Sequence, residues 1–125
     1  MAGTLVANTI NTDTGLFSTQ NAYQGIAKAW CSVSGSTPTV NASFNVSSVT
    51  VNSAADYTIN FATAMVVDAY YTAAGFCNYD PIISGSGRYM SLASAANGSI
   101  RVWANYNYNA LQTPYTCMVM VVGNG

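Results

Sequence analysis

The stretch from Ala42 to Met65 predicts a pair of β-strands, and no other part of the chain limits the fold as strongly. In its second half, Tyr57, Ile59 and Phe61 alternate with small or polar residues, which is the two-residue period of a strand with one buried face. A valine-containing run precedes this strand, and a polar corner at residues 52–56 separates the two. β-Branched and aromatic side chains suit a pleated, half-buried surface. The stretch therefore predicts a β-hairpin with one face in a core.

Further strand-like runs follow one another along the chain, separated by turn formers such as Gly, Pro and Asn. They cover residues 25–31, 66–77, 88–93, 99–107 and 115–122. The last run, YTCMVMVV, is nearly all apolar and predicts a strand that is central or buried on both faces. No run favours a helix, and no internal repeat is present. The chain is therefore predicted to be all-β, an antiparallel, jelly-roll-like β-sandwich of about 7–8 strands.

The length of 125 residues predicts one folded domain, which we place at residues 25–125 as a β-sandwich knob. Residues 1–24 have no sustained period and include a dense group of turn formers, so we expect an extended N-terminal arm. The arm is too polar to own a core, yet it carries several apolar side chains. These are Leu5, Val6, Ile10, Leu16 and Phe17. We expect them to attach the arm to a neighbouring subunit or to another protein.

Charged residues are unusually scarce. Lys and Arg total 3, Asp and Glu total 4, and charged residues make up 6% of the chain, against about 25% in a typical soluble protein. A monomer with a net charge of −1 has little electrostatic protection against self-association. Charge depletion with abundant Tyr and Met is also typical of the core of a protein–protein interface. We therefore expect an oligomer; the alternative is a polar, uncharged β protein that stays monomeric.

The residues that usually carry out catalysis are absent or scattered. The chain has no His and no Glu, and its four Asp share no local motif; Asp13 and Asp56 are interpreted as turn residues. General acid–base catalysis and an imidazole-activated nucleophile are therefore disfavoured. Three positive charges do not make a nucleic-acid-binding face. We expect no enzyme activity, no cofactor and no nucleic-acid partner.

The three cysteines, Cys31, Cys77 and Cys117, have no C-x-x-C spacing, which disfavours a zinc site. We interpret them as small buried hydrophobic residues; one disulfide with a spare thiol is the alternative. No apolar run approaches the roughly 18–20 residues of a membrane-spanning helix, so membrane insertion is not expected. The first residues do not resemble a secretory signal peptide, and we expect a soluble protein made in a cytoplasm.

An aromatic and amide-rich cluster at residues 103–109 is the best candidate for ligand binding. Tyr106 and Tyr108 alternate with Asn residues, and Trp103 lies close before them. Rings beside amides are suited to the apolar faces and hydroxyl groups of a carbohydrate. The alternative, which we favour, is a strand end with Trp103 in the core and both tyrosines at a subunit interface.

Three segments of the chain together resemble a domain of tailed bacteriophages: GIAKAW at residues 25–30, ASFNVSSVT at 42–50 and DYTINFATAM at 56–65. That family occurs in tail-fibre and virion-surface proteins, including those of cyanophages. The match covers residues 25–65, and the rest agrees only in its general strand pattern. The resemblance implies a non-enzymatic virion protein, usually trimeric, on the exterior of the capsid or tail and made in the host cytoplasm. The corner Asn52–Asp56 departs from an expected Gly-containing turn, which leaves the turn geometry open.

The resemblance allows two roles on the virion. A short chain with an attachment arm fits a homotrimeric capsid-decorating protein, also called a cement or head-knob protein, that contacts the major capsid protein. The alternative is the receptor-binding tip of a tail fibre, which would contact host surface polysaccharide. A secreted bacterial lectin-like module, a third role, is weakened because the start of the chain does not resemble a signal peptide.

Overall fold

The computed structural model of this chain is a β-sandwich of two antiparallel sheets, which confirms the predicted fold class. It describes residues 3, 6–7, 9–12, 15–18, 25–35, 39–65, 71–78, 88–106, 110–111 and 113–123. The strands are β1 (Thr9–Thr12), β2 (Gly15–Ser18), β3 (Ala27–Ser34), β4 (Thr39–Phe44), β5 (Val46–Ser53), β6 (Asp56–Phe61), β7 (Tyr71–Asn78), β8 (Arg88–Ala96), β9 (Ser99–Tyr106), β10 (Ala110–Leu111) and β11 (Thr116–Gly123).

Two sheets form the sandwich. Sheet I has the strand order β4-β3-β11-β7, and sheet II has the order β5-β6-β9-β8. The short strand β10 pairs with the end of β9, along the same edge of β9 as β6. Strands β1 and β2 pair with each other as a separate hairpin.

The core lies between the sheets and comes from their central strands. Each of β3, β6, β9 and β11 buries three alternate residues, as a strand with one inward face must. They are Ala29, Cys31 and Val33; Tyr57, Ile59 and Phe61; Ile100, Val102 and Ala104; and Cys117, Val119 and Val121. The alternation predicted for residues 57–61 is confirmed. Removing a large apolar side chain from water contributes about 1.5–3 kcal/mol, so this layer is the main source of stability.

The last strand is central but has only one buried face. Strand β11 pairs with β3 on one edge and β7 on the other, as its apolar composition predicts. Burial on both faces is wrong for the isolated chain, because Met118 and Met120 point away from the second sheet and are about half exposed. A two-layer sandwich covers one face of each sheet and leaves the other open.

The predicted hairpin consists of β5 and β6, joined at Ala54 and Ala55. Ala55 takes the left-handed backbone conformation at φ 63°, which usually favours Gly. Its methyl group is fully buried, and its carbonyl accepts a hydrogen bond of 2.9 Å from the Ala104 amide. Contacts with β9 therefore hold a turn that the local sequence does not favour.

The chain changes sheets at Asn45. Residues 42–44 belong to β4 in sheet I, whereas β5 begins at Val46 in sheet II, so the predicted first strand is in fact two. Asn45 has φ 52°, and its side-chain amide donates to the carbonyls of Lys28 (2.9 Å) and Thr63 (3.1 Å). Its Oδ1 accepts from the Thr63 amide at 2.7 Å. Asn tolerates this conformation better than other residues with a Cβ, and here its side chain also ties both sheets together.

The predicted arm contains the β1–β2 hairpin, in which Ile10 is opposite Phe17 and Leu16 is opposite Asn11. Val6 is 88% exposed, and Leu5 lies outside the described residues. Part of the arm is therefore a hairpin rather than an irregular extended segment. Its attachment to a partner remains a prediction.

Cys31, Cys77 and Cys117 form no disulfide bond, so the disulfide alternative does not apply to this structure. Cys31 and Cys117 are buried in the core, as expected of small hydrophobic residues. Burial raises the pKa of the Cys31 thiol to about 11 and that of Cys117 to about 12. Both thiols are therefore protonated and unreactive at neutral pH.

Candidate interaction surfaces

Trp103 lies on the outer face of sheet II, which corrects the interpretation that it belongs to the core. Its neighbours Val102 and Ala104 point inward, so by alternation its own side chain points outward, and it is 38% exposed. Tyr106 ends β9, and Tyr108 lies outside the described residues. Of the predicted aromatic cluster, the structure therefore places only Trp103 as a surface side chain.

Asp56 is the cross-strand partner of Trp103 and is a buried ion-pair residue, not only a turn residue. The Arg101 Nε donates to Asp56 Oδ1 at 2.9 Å, and a second guanidinium nitrogen contacts Oδ2. Asn52 donates to Oδ1 at 3.0 Å, and the Trp103 side chain also favours the ionised carboxylate. The Arg101 hydrogen bond is the main cause that lowers the Asp56 pKa to about 2, while burial opposes it. Such a carboxylate stays ionised at neutral pH and serves the structure rather than proton transfer.

The Asp56–Arg101 ion pair makes the free energy of unfolding depend on pH. The folded-state pKa of about 2 is below the usual 3.8, so the pair's contribution is fully present above pH 3.8 and lost as the pH falls through 2. Because Arg101 is partly exposed to water, we expect the contribution to be about 1–2 kcal/mol. Urea unfolding at pH 6 and pH 2 should show Asp56→Asn less stable than the unmodified protein at pH 6, with the difference shrinking at pH 2. A difference that does not change with pH would contradict this assignment.

The outer face of strands β5 and β6 is polar and internally hydrogen-bonded. Asn60 donates to Ser48 (3.0 Å) and Thr50 (3.2 Å), and Asn52 donates to Thr58 (2.8 Å). These short polar side chains satisfy one another across the strands β5 and β6. They explain how a face with few charges remains compatible with water.

A depression of about 450 Å³ opens beside Trp103. Its lining residues are Ser91, Leu92, Trp103, Asn105 and Leu111. Asn105 is buried, and its amide donates to the Ser91 hydroxyl at 2.6 Å and the Trp103 carbonyl at 3.3 Å. The depression therefore offers one partly exposed ring and an amide whose donors already have partners.

The outer face of sheet I is different, because it is apolar across the full width of the sheet. Two adjacent rows of side chains cross the four strands in register. The first row is Phe44, Trp30, Met120 and Ala74, and the second is Ala42, Ser32, Met118 and Phe76. We call these eight residues the apolar face. Its five large side chains, those of Phe44, Trp30, Met120, Met118 and Phe76, are between 40% and 74% exposed.

Polar residues border the apolar face along the strands. The next row on one side is Thr39, Ser34, Thr116 and Asn78. On the other side, Lys28 lies beside the irregularity where β3 pairs with β11, and Thr72 is the corresponding residue of β7. An apolar centre with a polar border is the usual organisation of a protein–protein interface.

Sequence reasoning did not identify the apolar face, although one signal was available. The run YTCMVMVV has apolar residues at both alternations, and only one alternation can face the core of a two-layer sandwich. The rest of the apolar face combines residues that are far apart in the chain, such as Phe44 and Phe76. Only the pairing of the strands brings them onto one surface.

Two kinds of feature are absent from the residues that the structure describes. Those residues contain no group of three or more His, Cys, Asp or Glu side chains placed to bind a metal ion. Across the same ranges, no helix has both the length and the apolar character needed to cross a membrane.

No protein-family model, curated protein or solved structure matches this chain. The resemblance of residues 25–65 to phage virion β-domains therefore remains a prediction from the motifs alone.

Proposed function

We propose that this chain is a non-enzymatic structural protein of a bacteriophage virion, a homotrimer that binds the outside of the capsid and stabilises it. The observation that carries the proposal is the apolar face, an exposed surface with the composition of an interface core on a chain that has only 6% charged residues. The resemblance of residues 25–65 to virion β-domains supports the phage assignment.

The chemistry of the described polar groups also suits a structural role. The buried carboxylate of Asp56 is neutralised by Arg101, and two of the three thiols are buried in the core. Neither kind of group is available to a substrate. The arm, with Val6 exposed, is the segment we propose for contact with the major capsid protein or with a tail protein.

The role on the capsid is tested with virions prepared with and without this protein. We expect particles lacking it to release DNA at a lower temperature or after milder osmotic shock, and added purified protein to restore stability. A chain lacking residues 1–20 should stay folded but bind capsids less tightly. Unchanged particle stability together with no binding of purified protein to capsids would contradict the proposal.

A tail-fibre tip that contacts host glycan is the second candidate, and the depression beside Trp103 is the observation that favours it. In that case the same particles would keep their capsid stability and lose adsorption to host cells. Binding of the purified protein to host surface polysaccharide would then fall on Tyr106→Ala or Tyr108→Ala. The matched control is Tyr115→Ala, because Tyr115 is an exposed tyrosine that precedes β11 and lies outside the 103–109 cluster.

A further inference from the structure

We propose that the apolar face of sheet I is the surface through which copies of this chain associate with one another. This inference rests on the proposed function in one respect, that the protein works as a homo-oligomer. The new element is the contact surface itself, which we assign to the eight residues of the apolar face.

The size of the face agrees with a stable contact between two copies. A large aromatic side chain presents about 150–250 Å², so five large side chains exposed by about half present roughly 500 Å² of apolar surface. A standard interface buries about 800 Å² on each partner, of which about 56–65% is apolar. The face therefore supplies roughly the apolar area that one side of such an interface needs.

The charge pattern favours a second copy as the partner. None of the eight residues of the apolar face carries a formal charge, so the faces of neighbouring copies approach one another without like-charge repulsion. In a trimer each copy contacts its neighbours through two different parts of its surface, and an uncharged apolar face imposes no charge pattern on either contact. A partner of opposite charge would instead require a cluster of charges here, and Lys28 is the one charged residue among those we name in the border.

The shape of the face provides a means of fitting. A groove of about 300 Å³ runs over its centre, with Ser32 and Ala74 among the small lining residues and Trp30 and Phe76 among the large ones. Large side chains of one copy can enter the groove of a neighbouring copy, as side chains interdigitate between packed sheets. Met118 and Met120 also line the groove, and flexible methionines adapt to such contacts.

Self-association is measured by sedimentation of the purified, untagged full chain over a range of concentrations. We expect the unmodified protein to form an oligomer that dissociates on dilution. We expect the dissociation constant of Phe76→Lys to be higher by a factor of at least about 30. Phe76 is 74% exposed on an edge strand, so the substitution should leave the fold intact, which circular dichroism and thermal melting check. Leu92→Lys is the control, because Leu92 is 60% exposed but lies in β8 of sheet II.

The two tryptophans provide a second measurement that does not depend on a charge substitution. In Trp103→Phe the emission comes from Trp30 in the apolar face, and in Trp30→Phe it comes from Trp103 on the other sheet. We expect dilution to shift the Trp30 emission to longer wavelength as it becomes exposed to water, and to leave the Trp103 emission unchanged.

A chain that is monomeric at every concentration overturns this inference. So does an oligomer that Phe76→Lys weakens no more than Leu92→Lys, or one whose Trp30 emission does not respond to dilution. These results concern only the contact between copies. Capsid binding and particle stability are measured with virions, so failure of the proposed function would be seen separately.

Discussion

We expect Gly35→Ala to destabilise the domain by about 3 kcal/mol or more, with a melting temperature lower by about 10 °C or more. Gly35 is buried at the end of β3, and a Cβ added there would lie 2.0 Å from the Pro114 carbonyl oxygen and 2.8 Å from its carbon. These are backbone atoms, so no side-chain rotation relieves the overlap. The Gly35 amide also donates to the Tyr115 carbonyl at 2.9 Å, and its carbonyl accepts from the Tyr57 hydroxyl at 3.2 Å.

The measurement for Gly35→Ala is thermal and urea unfolding, compared with Gly98→Ala. A Cβ at Gly98 has no atom within 4 Å, so this control carries the same change in the unfolded chain without the overlap. We expect its stability to stay within about 1 kcal/mol of the unmodified protein. Equal stability of the two variants would show that the 113–115 segment moves aside at little cost, contrary to the close approach described for Gly35.

The second large effect is expected at Asn45, where the chain passes from sheet I to sheet II. Asn45→Ala removes both donated hydrogen bonds and the one accepted from Thr63. It also leaves φ 52° to Ala, which lacks the short polar side chain that lets Asn adopt this angle. A lost hydrogen bond costs about 0.5–1.5 kcal/mol, and the left-handed conformation costs Ala about 1 kcal/mol more. Since water replaces part of the exposed bonds to Thr63, we expect a loss of about 2–3 kcal/mol in the free energy of unfolding.

Asn45→Gly separates the two contributions, because Gly loses the hydrogen bonds but accepts the backbone conformation. We expect it to be destabilised by about 1 kcal/mol less than Asn45→Ala in urea unfolding. If Ala and Gly have the same effect, the backbone angle contributes nothing. If neither variant loses stability, Asn45 is not the connection that holds the sheets in place.

The fold class could be predicted because alternation within a strand is local. The alternation of Tyr57, Ile59 and Phe61 indicates a buried face within a few consecutive residues, and all three side chains lie in the core. The apolar run 115–122 likewise announced a central strand, which β11 is. Whether its second face is covered depends on how many layers the molecule has, and no single strand contains that information.

The features that decide the surfaces depend on distant partners. Asp56 and Arg101 are 45 residues apart, so their ion pair is visible only once β6 and β9 are adjacent. The sequence does not show which face of β9 Trp103 occupies, because its neighbours Val102 and Ala104 are apolar as well. At Asn45, a single left-handed residue divides one apparent strand into two, and the sequence records only that Asn tolerates such an angle.

The position of β11 in sheet I has a consequence for the order in which the domain can fold. Among the described residues, strands β3 and β7 are connected in sheet I through β11, the last of these strands in the sequence order. Until β11 inserts, β3 and β4 can pair, but β7 has no partner in its sheet. During synthesis, therefore, sheet I closes only after residue 123 has emerged, and folding is a late step that brings distant segments together. Such non-local pairing is slow, typically milliseconds to seconds. During that interval Trp30 and Phe76 lie on strands that are not yet paired through β11. Their apolar side chains therefore stay exposed to other molecules for as long as β11 has not been added to the sheet.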